Sequence, residues 1–350
     1  MKIHEKYMLR CIELGKNGLG NTAPNPMVGS VIVYNNKIIG EGYTSPYGGG
    51  HAEVNAINSI TDISLLKEAT LYVTLEPCSH YGKTPPCADL IIKHQIKTVV
   101  IGTLDPNEKV AGKGIKKLKE AGCNVITLIL EKECKEHHKR FLTFFTKKRP
   151  YIILKWAETK DGFIAPNSSK RKVTPEPFWI TNTFSRQIVH KWRAEEQAIL
   201  VGTNTAIQDN PKLDTRKWKG KNPTRIVLDK NLKVKQDFHL LDNKTNTIVF
   251  TENKLVKNII PNINYEIVSF DASLAKHICN SLHRRNINSV IIEGGTKTIQ
   301  TFIDSKLWDE ARIFIGNTSF KEGIKAPIIN NEKGHTKQLL KDQLYIIKND

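Results

Sequence analysis

GGGHAEVNAI at residues 48–57 and LYVTLEPCSHYGKTPPCADLII at residues 71–92 carry the pattern around which the rest of the chain is arranged. They set His51, Glu53, Cys78 and Cys87 in the order His-Ala-Glu … Pro-Cys-x8-Cys. One imidazole and two thiolates form the protein side of a three-ligand tetrahedral Zn²⁺ site, and a fourth position left to water marks such a site as catalytic rather than structural. A metal so held lowers the pKa of water towards neutrality and yields a hydroxide nucleophile. Glu53 stands two residues past His51. On a helix starting here it points into the same cavity, where it can carry protons between the water and a leaving amine. A structural zinc knuckle would want a fourth Cys or His, and the close candidate is His80, two residues from Cys78.

The neighbouring residues give these four a frame. TLYVTL, 70–75, reads as a buried strand that delivers Glu76-Pro77-Cys78 at its carboxyl end, and Cys87 opens a helix over ADLIIKH. Gly48-Gly49-Gly50 lets the backbone turn tightly into the helix that begins near His51. Upstream, residues 3–19 read as a helix and SVIVYNNKIIGEGYT as a hairpin about Asn35-Asn36, a dipeptide able to take positive φ. Downstream come strand KTVVIG, helix GIKKLKEAG, strand NVITLI and helix EKECKEHHKRFLTFF. Strands alternating with helices predict an α/β layer with a largely parallel sheet, and ligands gather at strand carboxyl ends, where Cys78 and Asp105 fall. His137-His138 lie on a highly charged helix face and read as solvated.

A metal-ligating His-x-Glu followed by Pro-Cys and a second Cys is the pattern of zinc nucleobase deaminases, in which the Glu carries protons and is not a ligand. Deaminases that act on nucleic acid use Pro-Cys-x-x-Cys, whereas eight residues separate the cysteines here. EPCSHYGKTPPC, with PNPMVG at 24–29 and DPN at 105–107, closely resembles the deaminase half of the bifunctional deaminase/reductase family of riboflavin biosynthesis. The resemblance implies that Asn25 lines the pyrimidine pocket, that His80 and Lys83 meet the substrate phosphate or ribose, and that Asp105 and Asn107 contact the ribose. On residue type alone Asn25 is a rigid loop residue between prolines and Lys83 a surface lysine.

The resemblance continues past a break near Thr146-Lys147-Lys148-Arg149-Pro150, so domains are expected at 1–146 and 147–350. YIILKWAETKDGFIA is similar to the first strand of the family's reductase half, and WITNTFSRQIVHKWRAEEQAILVGTNTAIQDNPKLDTR is similar to the family's next helix, strand and loop. VIIEGGTKTIQTFI joins a strand through Gly-Gly to a helix, and a glycine turn at a helix N-terminus offers free N–H groups to an anion. By itself that turn lacks the fuller dinucleotide fingerprint. By resemblance, Gly294, Gly295 and Thr296 are the NADP pyrophosphate loop of a dihydrofolate-reductase-like α/β domain, which follows a cytidine-deaminase-like three-layer α/β domain. The resemblance further implies that Ala157, Trp179, Thr205 and Asp209 contact the cofactor. Arg193, Leu213, Arg216 and Glu293 contact the substrate, and Lys155 lies near the nicotinamide and substrate. A planar arginine fork suits a ribose 5′-phosphate. The chain departs from the family twice: Thr159-Lys160-Asp161-Gly162 replaces Ser-Leu-Asp-Gly, and Pro177 stands where a substrate-contacting Ser is expected. Proline offers neither a side-chain donor nor an N–H.

Length and composition agree with two domains at 350 residues. No run of eighteen apolar residues predicts a membrane span. The N-terminus lacks the apolar core of a signal peptide, and six cysteines are too few for a disulfide scaffold, so a reducing cytoplasm is expected. The net charge of +18 is uneven: 18 basic and 14 acidic residues run to Thr146, and 35 and 21 lie beyond it. An excess of +14 in the second half suits an anionic small molecule, a lysine-rich surface, or nucleic acid.

The resemblance implies zinc-dependent hydrolytic deamination of 2,5-diamino-6-ribosylamino-4(3H)-pyrimidinone 5′-phosphate, then NADPH-dependent reduction of the ribosyl group to ribityl. One Zn²⁺ per chain and NADPH are the expected cofactors. The expected partners are that small molecule and further copies of the chain in a dimer or tetramer, without nucleic acid or membrane. Two alternatives stand beside it: a deaminase with a degenerate reductase half, and a nucleic-acid-editing deaminase with a basic binding domain.

Overall fold

A computed structural model describes residues 2–81, 85–107, 110–167, 174–256, 260–330 and 333–349. The chain divides into two compact units, Met1–Arg149 and Pro150–Asp350.

The first unit runs α1 (Ile3–Lys16), β1 (Gly29–Tyr34), β2 (Lys37–Tyr43), α2 (Ala52–Asn58), β3 (Thr70–Leu75), α3 (Cys87–Lys93), β4 (Thr98–Thr103), α4 (Lys113–Glu120), β5 (Asn124–Ile126), α5 (Glu131–His137) and α6 (Lys139–Thr146). Its five strands lie in the order β2-β1-β3-β4-β5. The sheet is mixed rather than largely parallel: β3-β4 and β4-β5 pair parallel, while the β1-β2 hairpin and β1-β3 pair antiparallel. Asn35 and Asn36 take φ of 47° and 60°, as a two-residue hairpin turn requires.

The sheet separates two apolar clusters, and alternate residues of each strand feed one or the other. Ile32, Leu71, Val73 and Val99 join Ala56, Ile91 and Leu118 of α2, α3 and α4. Val31, Val33, Tyr72 and Val100 join Tyr7, Met8 and Cys11 of α1 and Cys134 of α5. Helix α2 lies so close to β2 that a Cβ on Gly42 would fall 2.3 Å from the Ala56 nitrogen.

Four further expectations need correction. Helix α1 ends at Lys16, not at residue 19, because the chain turns through Asn17 and Gly18. Strand β5 ends at Ile126, since Leu128 and Leu130 adopt φ of 64° and 53°. The helix read over 131–145 is two helices meeting at His138. His137 and His138 are buried there, 7% and 1% exposed, instead of solvated. His137 Nε2 meets the Met27 carbonyl at 2.7 Å and His138 Nε2 the Thr74 hydroxyl at 2.9 Å, so these rings tie α5-α6 to the strands.

The second unit runs β6 (Tyr151–Thr159), β7 (Phe163–Ala165), α7 (Thr183–Glu195), β8 (Ala198–Gly202), α8 (Thr203–Asp209), β9 (Thr224–Leu228), β10 (Thr247–Thr251), β11 (Ile263–Ile267), α9 (Leu274–Arg284), β12 (Ser289–Ile292), α10 (Thr296–Asp304), β13 (Glu310–Gly316), β14 (Ile324–Lys325), β15 (Gly334–Leu339) and β16 (Asp342–Lys348). Nine strands form one sheet, β11-β10-β9-β8-β12-β6-β13-β16-β15. The first seven in that order pair parallel, and β16 and β15 close the edge antiparallel. Runs such as AILVG and TIVFT are buried throughout, as strands covered on both faces must be. Ile152 and Leu154 of β6 face the side packed by α9 and α10, while Tyr151 and Ile153 face the side packed by α7 and α8. This two-sided α/β layering is the fold expected of the second half.

Candidate active sites

Three short-range features bring the metal donors together. His51 is the N-cap of α2, Cys78 lies just beyond β3, and Cys87 is the first residue of α3. Their donor atoms lie within 4.8 Å of one another. His51 Nδ1 is 3.2 Å from Cys87 Sγ and 3.6 Å from Cys78 Sγ, and the Cys87 N–H donates to Cys78 Sγ at 3.3 Å. Hydrogen bonding from Cys87, then from His51, pulls the Cys78 thiol down to about 4, and the Cys87 thiol is correspondingly pushed up. A thiolate, a second thiol and an imidazole converging on one point are a donor set that suits zinc.

Glu53, in the first turn of α2, is 4% exposed and lies outside that donor cluster. Burial first, then the Cys78 charge, pushes its carboxyl up to about 7. Asp105 is also buried and is pushed up to about 7, by burial with Glu76 and Cys78 adding. Its Oδ1 accepts the Asn107 N–H at 2.8 Å, and its own N–H donates to Glu76 Oε2 at 3.4 Å, one contact away from the Pro77-Cys78 segment. Asn25 is half-buried in the turn before β1, donating its N–H to the Thr22 carbonyl. His80 is exposed, and Lys83 lies outside the described residues. Sequence reasoning passed over Glu76. The available signal was an acid directly before Pro-Cys combined with a Gly-Lys-Gly run at 112–114.

In the second unit, carboxyl ends of parallel strands β6, β8, β9 and β12 open on a cleft of about 1160 Å³. The structure brings all twelve residues singled out for this half into its lining: Lys155, Ala157, Trp179, Arg193, Thr205, Asp209, Leu213, Arg216, Glu293, Gly294, Gly295 and Thr296. Gly295 caps the N-terminus of α10, and the Gly294 carbonyl accepts the Gly202 N–H at 2.9 Å, which ties the turn to the end of β8. The Thr296 hydroxyl donates to the Lys325 carbonyl at 2.7 Å.

A buried charge cluster lines the wall beside this turn. Arg193 Nε and Nη2 grip Glu293 Oε1 and Oε2 at 3.0 and 2.7 Å, and Nη1 reaches the Asp214 carbonyl at 3.3 Å. Lys155 Nζ stands 3.9 Å from Glu293 Oε2. Burial would raise the Glu293 carboxyl, but Arg193 and Lys155 outweigh it and hold the group down to about 2. Burial lowers Lys155 despite Glu293. His190, also unmarked by the sequence reading, is brought down to about 4 by burial and by Arg193. Arg216 is the more exposed arginine and pairs with the Asp214 carboxylate. Leu213 is 2% exposed and packs in the core, with φ of 50°. Trp179 is 53% exposed beneath the Arg186 guanidinium, which lies 4.5 Å from its ring centroid.

The two departures differ in consequence. The Thr159 hydroxyl donates to Asp161 at 2.5 Å, and Asp161 accepts the Phe320 and Lys321 N–H groups, so a serine-like hydrogen bond survives at Thr159. Pro177 lines the cleft beside Phe178, whose ring meets Phe320 edge-on at 5.0 Å, and offers no donor there.

Known families resemble both units. Residues 1–103 match the cytidine and deoxycytidylate deaminase zinc-binding region, and residues 150–322 match the RibD C-terminal domain. The riboflavin biosynthesis protein RibD of Aquifex aeolicus is 39% identical over 326 residues, 92% of this chain and 89% of that protein. Its counterpart from Bacillus amyloliquefaciens is 40% identical over 328 residues, 90% of this chain and 86% of that one. Among solved structures, the diaminohydroxyphosphoribosylaminopyrimidine deaminase/5-amino-6-(5-phosphoribosylamino)uracil reductase of Thermotoga maritima superposes with a TM-score of 0.88 at 37% identity, covering 99% of this chain and 98% of that one. RibD of Acinetobacter baumannii superposes with a TM-score of 0.86 at 31% identity, covering 99% of both.

Proposed function

The chain belongs to the RibD family of riboflavin-biosynthesis proteins, and from that premise we propose how its two units divide the family's two reactions. The first unit deaminates 2,5-diamino-6-ribosylamino-4(3H)-pyrimidinone 5′-phosphate, and the second reduces the ribosyl side chain of the product to ribityl with NADPH. The division falls between the two halves expected at 1–146 and 147–350. The observation that carries the reading is the convergence of His51, Cys78 and Cys87 within 4.8 Å, beside a buried carboxylate that is not among the donors.

His51, Cys78 and Cys87 would hold the zinc, which when bound would supply the Lewis acidity that makes water a nucleophile at neutral pH. Glu53 takes the proton from the attacking water and passes it to the departing amine, so that water adds at the amine-bearing carbon and ammonia leaves. Burial of the Glu53 carboxyl favours its protonated form, which suits a group that takes up and returns a proton. Asn25 is assigned to the pyrimidine pocket, Asp105 and Asn107 to the ribose, and His80 and Lys83 to the substrate phosphate or ribose.

In the second unit, NADPH supplies the hydride. The turn Gly294-Gly295-Thr296 presents N–H groups to its pyrophosphate, and Ala157, Trp179, Thr205 and Asp209 complete the cofactor side. Arg216 faces the substrate phosphate with a fork that can bind it bidentately. Arg193, committed to Glu293, fixes that carboxylate against the substrate alongside Lys155 and Leu213. The six cysteines are free thiols, as a reducing cytoplasm requires, and the chain is proposed to work as a homo-oligomer.

One assay tests the sequence of reactions. Zinc-loaded protein given the diaminopyrimidine phosphate and NADPH should release ammonia and then consume the nicotinamide absorbance. Ammonia without absorbance loss would mean a degenerate reductase unit, and Pro177 would be the first residue to restore to serine. RNA binding with a steep salt dependence, and neither product, would sink the proposal in favour of an editing enzyme.

A further inference from the structure

We propose that Glu76 is a positioning residue of the deaminase site, clamping the segment that carries Asp105 and Asn107 against the segment that carries Cys78. The proposal rests on the deaminase reading of the first unit. Glu76 is 3% exposed, and among the described residues no lysine or arginine pairs with it. Backbone N–H groups surround it instead. Oε2 accepts from Asp105 at 3.4 Å and Gly112 at 3.0 Å, and Oε1 accepts from Gly114 at 3.1 Å and Ile115 at 3.2 Å.

Three of those donors are the free N–H groups at the start of α4. Its N-cap, Gly112, sits at φ 80° and has no side chain to satisfy them. Glu76 therefore caps α4 from another part of the chain, its carboxyl oxygens accepting from the N–H groups at the positive end of the helix. The same carboxylate touches the backbone of Asp105, while its own backbone N–H donates to the Thr103 carbonyl at 3.0 Å and its chain continues directly into Pro77-Cys78. The fit leaves no slack: a Cβ on Gly114 would fall 2.0 Å from the Pro77 carbonyl oxygen. One side chain thus fixes the spacing between a metal ligand and the residues assigned to the ribose, without itself reaching either ligand.

Glu76→Gln keeps the shape and replaces one oxygen by an NH₂ group, which faces N–H donors and cannot accept from them. In full-length protein the variant should hold one zinc per chain and reduce pre-deaminated substrate at the wild-type rate. Amide exchange over 110–115 should accelerate. KM for the diaminopyrimidine phosphate should rise about tenfold or more, the scale of losing one or two hydrogen bonds to a charged group, while kcat changes by much less. A folded, zinc-loaded variant with unchanged KM would overturn the proposal. So would loss of zinc with exchange over 110–115 still slow, which would place the effect of Glu76 on Cys78 alone. If Glu76→Gln is recovered unfolded, Glu76→Asp keeps both acceptor oxygens but shortens their reach, and it decides on the same two readouts. Wild-type protein that releases no ammonia would instead defeat the deaminase reading, and the exchange comparison would still report whether Glu76 holds the segment.

Discussion

Cys87 and Glu53 stand close together, yet substitutions at them separate two jobs. Cys87 is one of three donors, so Cys87→Ser should lose zinc and ammonia release together, and a variant with full metal content and full activity would show that the ion sits elsewhere. Glu53 lies outside the donor set, so Glu53→Gln should keep its zinc while deamination falls by roughly two orders of magnitude or more, the usual scale for removing a general acid–base. Zinc loss in that variant would make Glu53 a structural residue. The two arginines of the other unit differ in the same way. Arg216 pairs with an aspartate on an exposed wall, and a lysine there keeps the charge but not the fork. Arg216→Lys should raise KM for the pyrimidine phosphate and leave NADPH binding, measured by titration, nearly unchanged; equal losses in both would remove Arg216 from the phosphate. The metal donors were legible in the sequence because their chemistry follows from type and spacing over a short stretch. Arg193 was legible as a site residue, but its engagement with Glu293, a hundred positions on, was not, because no local pattern encodes a partner brought in by a different strand. Glu76 stayed hidden for the same reason, its donors lying 29 to 39 residues away.

Helix ends carry much of the function. On α10, Gly295 takes an ordinary φ of −77°, and a Cβ there would meet nothing nearer than Thr205 Oγ1 at 3.3 Å. Gly295→Val should therefore fold but fill the cradle where a pyrophosphate must approach the backbone. NADPH affinity should drop about tenfold or more while the pyrimidine phosphate still binds, the reverse of Arg216→Lys. The α5-α6 junction makes a prediction about acid. His137 is held down to about 4, by burial and then by Lys16 and Arg140, although its Met27 contact opposes this; burial and the neighbouring His137 also lower His138. Between pH 6.5 and about 4 the unfolded chain takes up a proton at His137 that the folded chain refuses. Stability is thus fully present above the unfolded value and is lost as pH falls through that window, by on the order of 3 kcal/mol from His137 alone. Urea titrations of zinc-free protein should show a flatter acid slope for His137→Gln, whose amide can still donate to Met27; identical slopes would dismiss the effect. Both histidines were misread because lysines and glutamates around them suggest solvent, whereas the chain breaks its helix at His138 and turns the rings inward. The hairpin and the glycine turn were readable, since their backbone demands select Asn and Gly. The early end of β5 was not, because Leu128 and Leu130 hold positive φ that leucine does not advertise.

At the scale of the molecule, a basic run ending in proline lies between a helix and an apolar strand, and the chain forms two compact units, Met1–Arg149 and Pro150–Asp350. Each unit closes its own core: the sheet of the first buries Ile32, Leu71 and Val99 on one face and Val31, Tyr72 and Val100 on the other, and the sheet of the second does the same with its own helices. The metal donors lie entirely in Met1–Arg149 and the cleft residues entirely in Pro150–Asp350. The charge divides unevenly, with most of the +18 in the half whose proposed ligands are NADPH and a sugar phosphate. A chain severed between Arg149 and Pro150 should accordingly give two folded pieces. Residues 1–149 should bind one zinc and release ammonia from the diaminopyrimidine phosphate. Residues 150–350 should bind NADPH and, given the deaminated product, oxidise it. Mixed together, the pieces should carry the substrate through both steps, at a rate limited by diffusion of the free intermediate between them. Far-ultraviolet circular dichroism, zinc content and nicotinamide absorbance read the three expectations independently. A 150–350 piece that folds and binds NADPH but reduces nothing would trace the defect to the Pro177 wall of its own cleft. A piece that fails to fold alone would show instead that one core depends on the other, and the division at Arg149 would then be a boundary of shape without being one of stability.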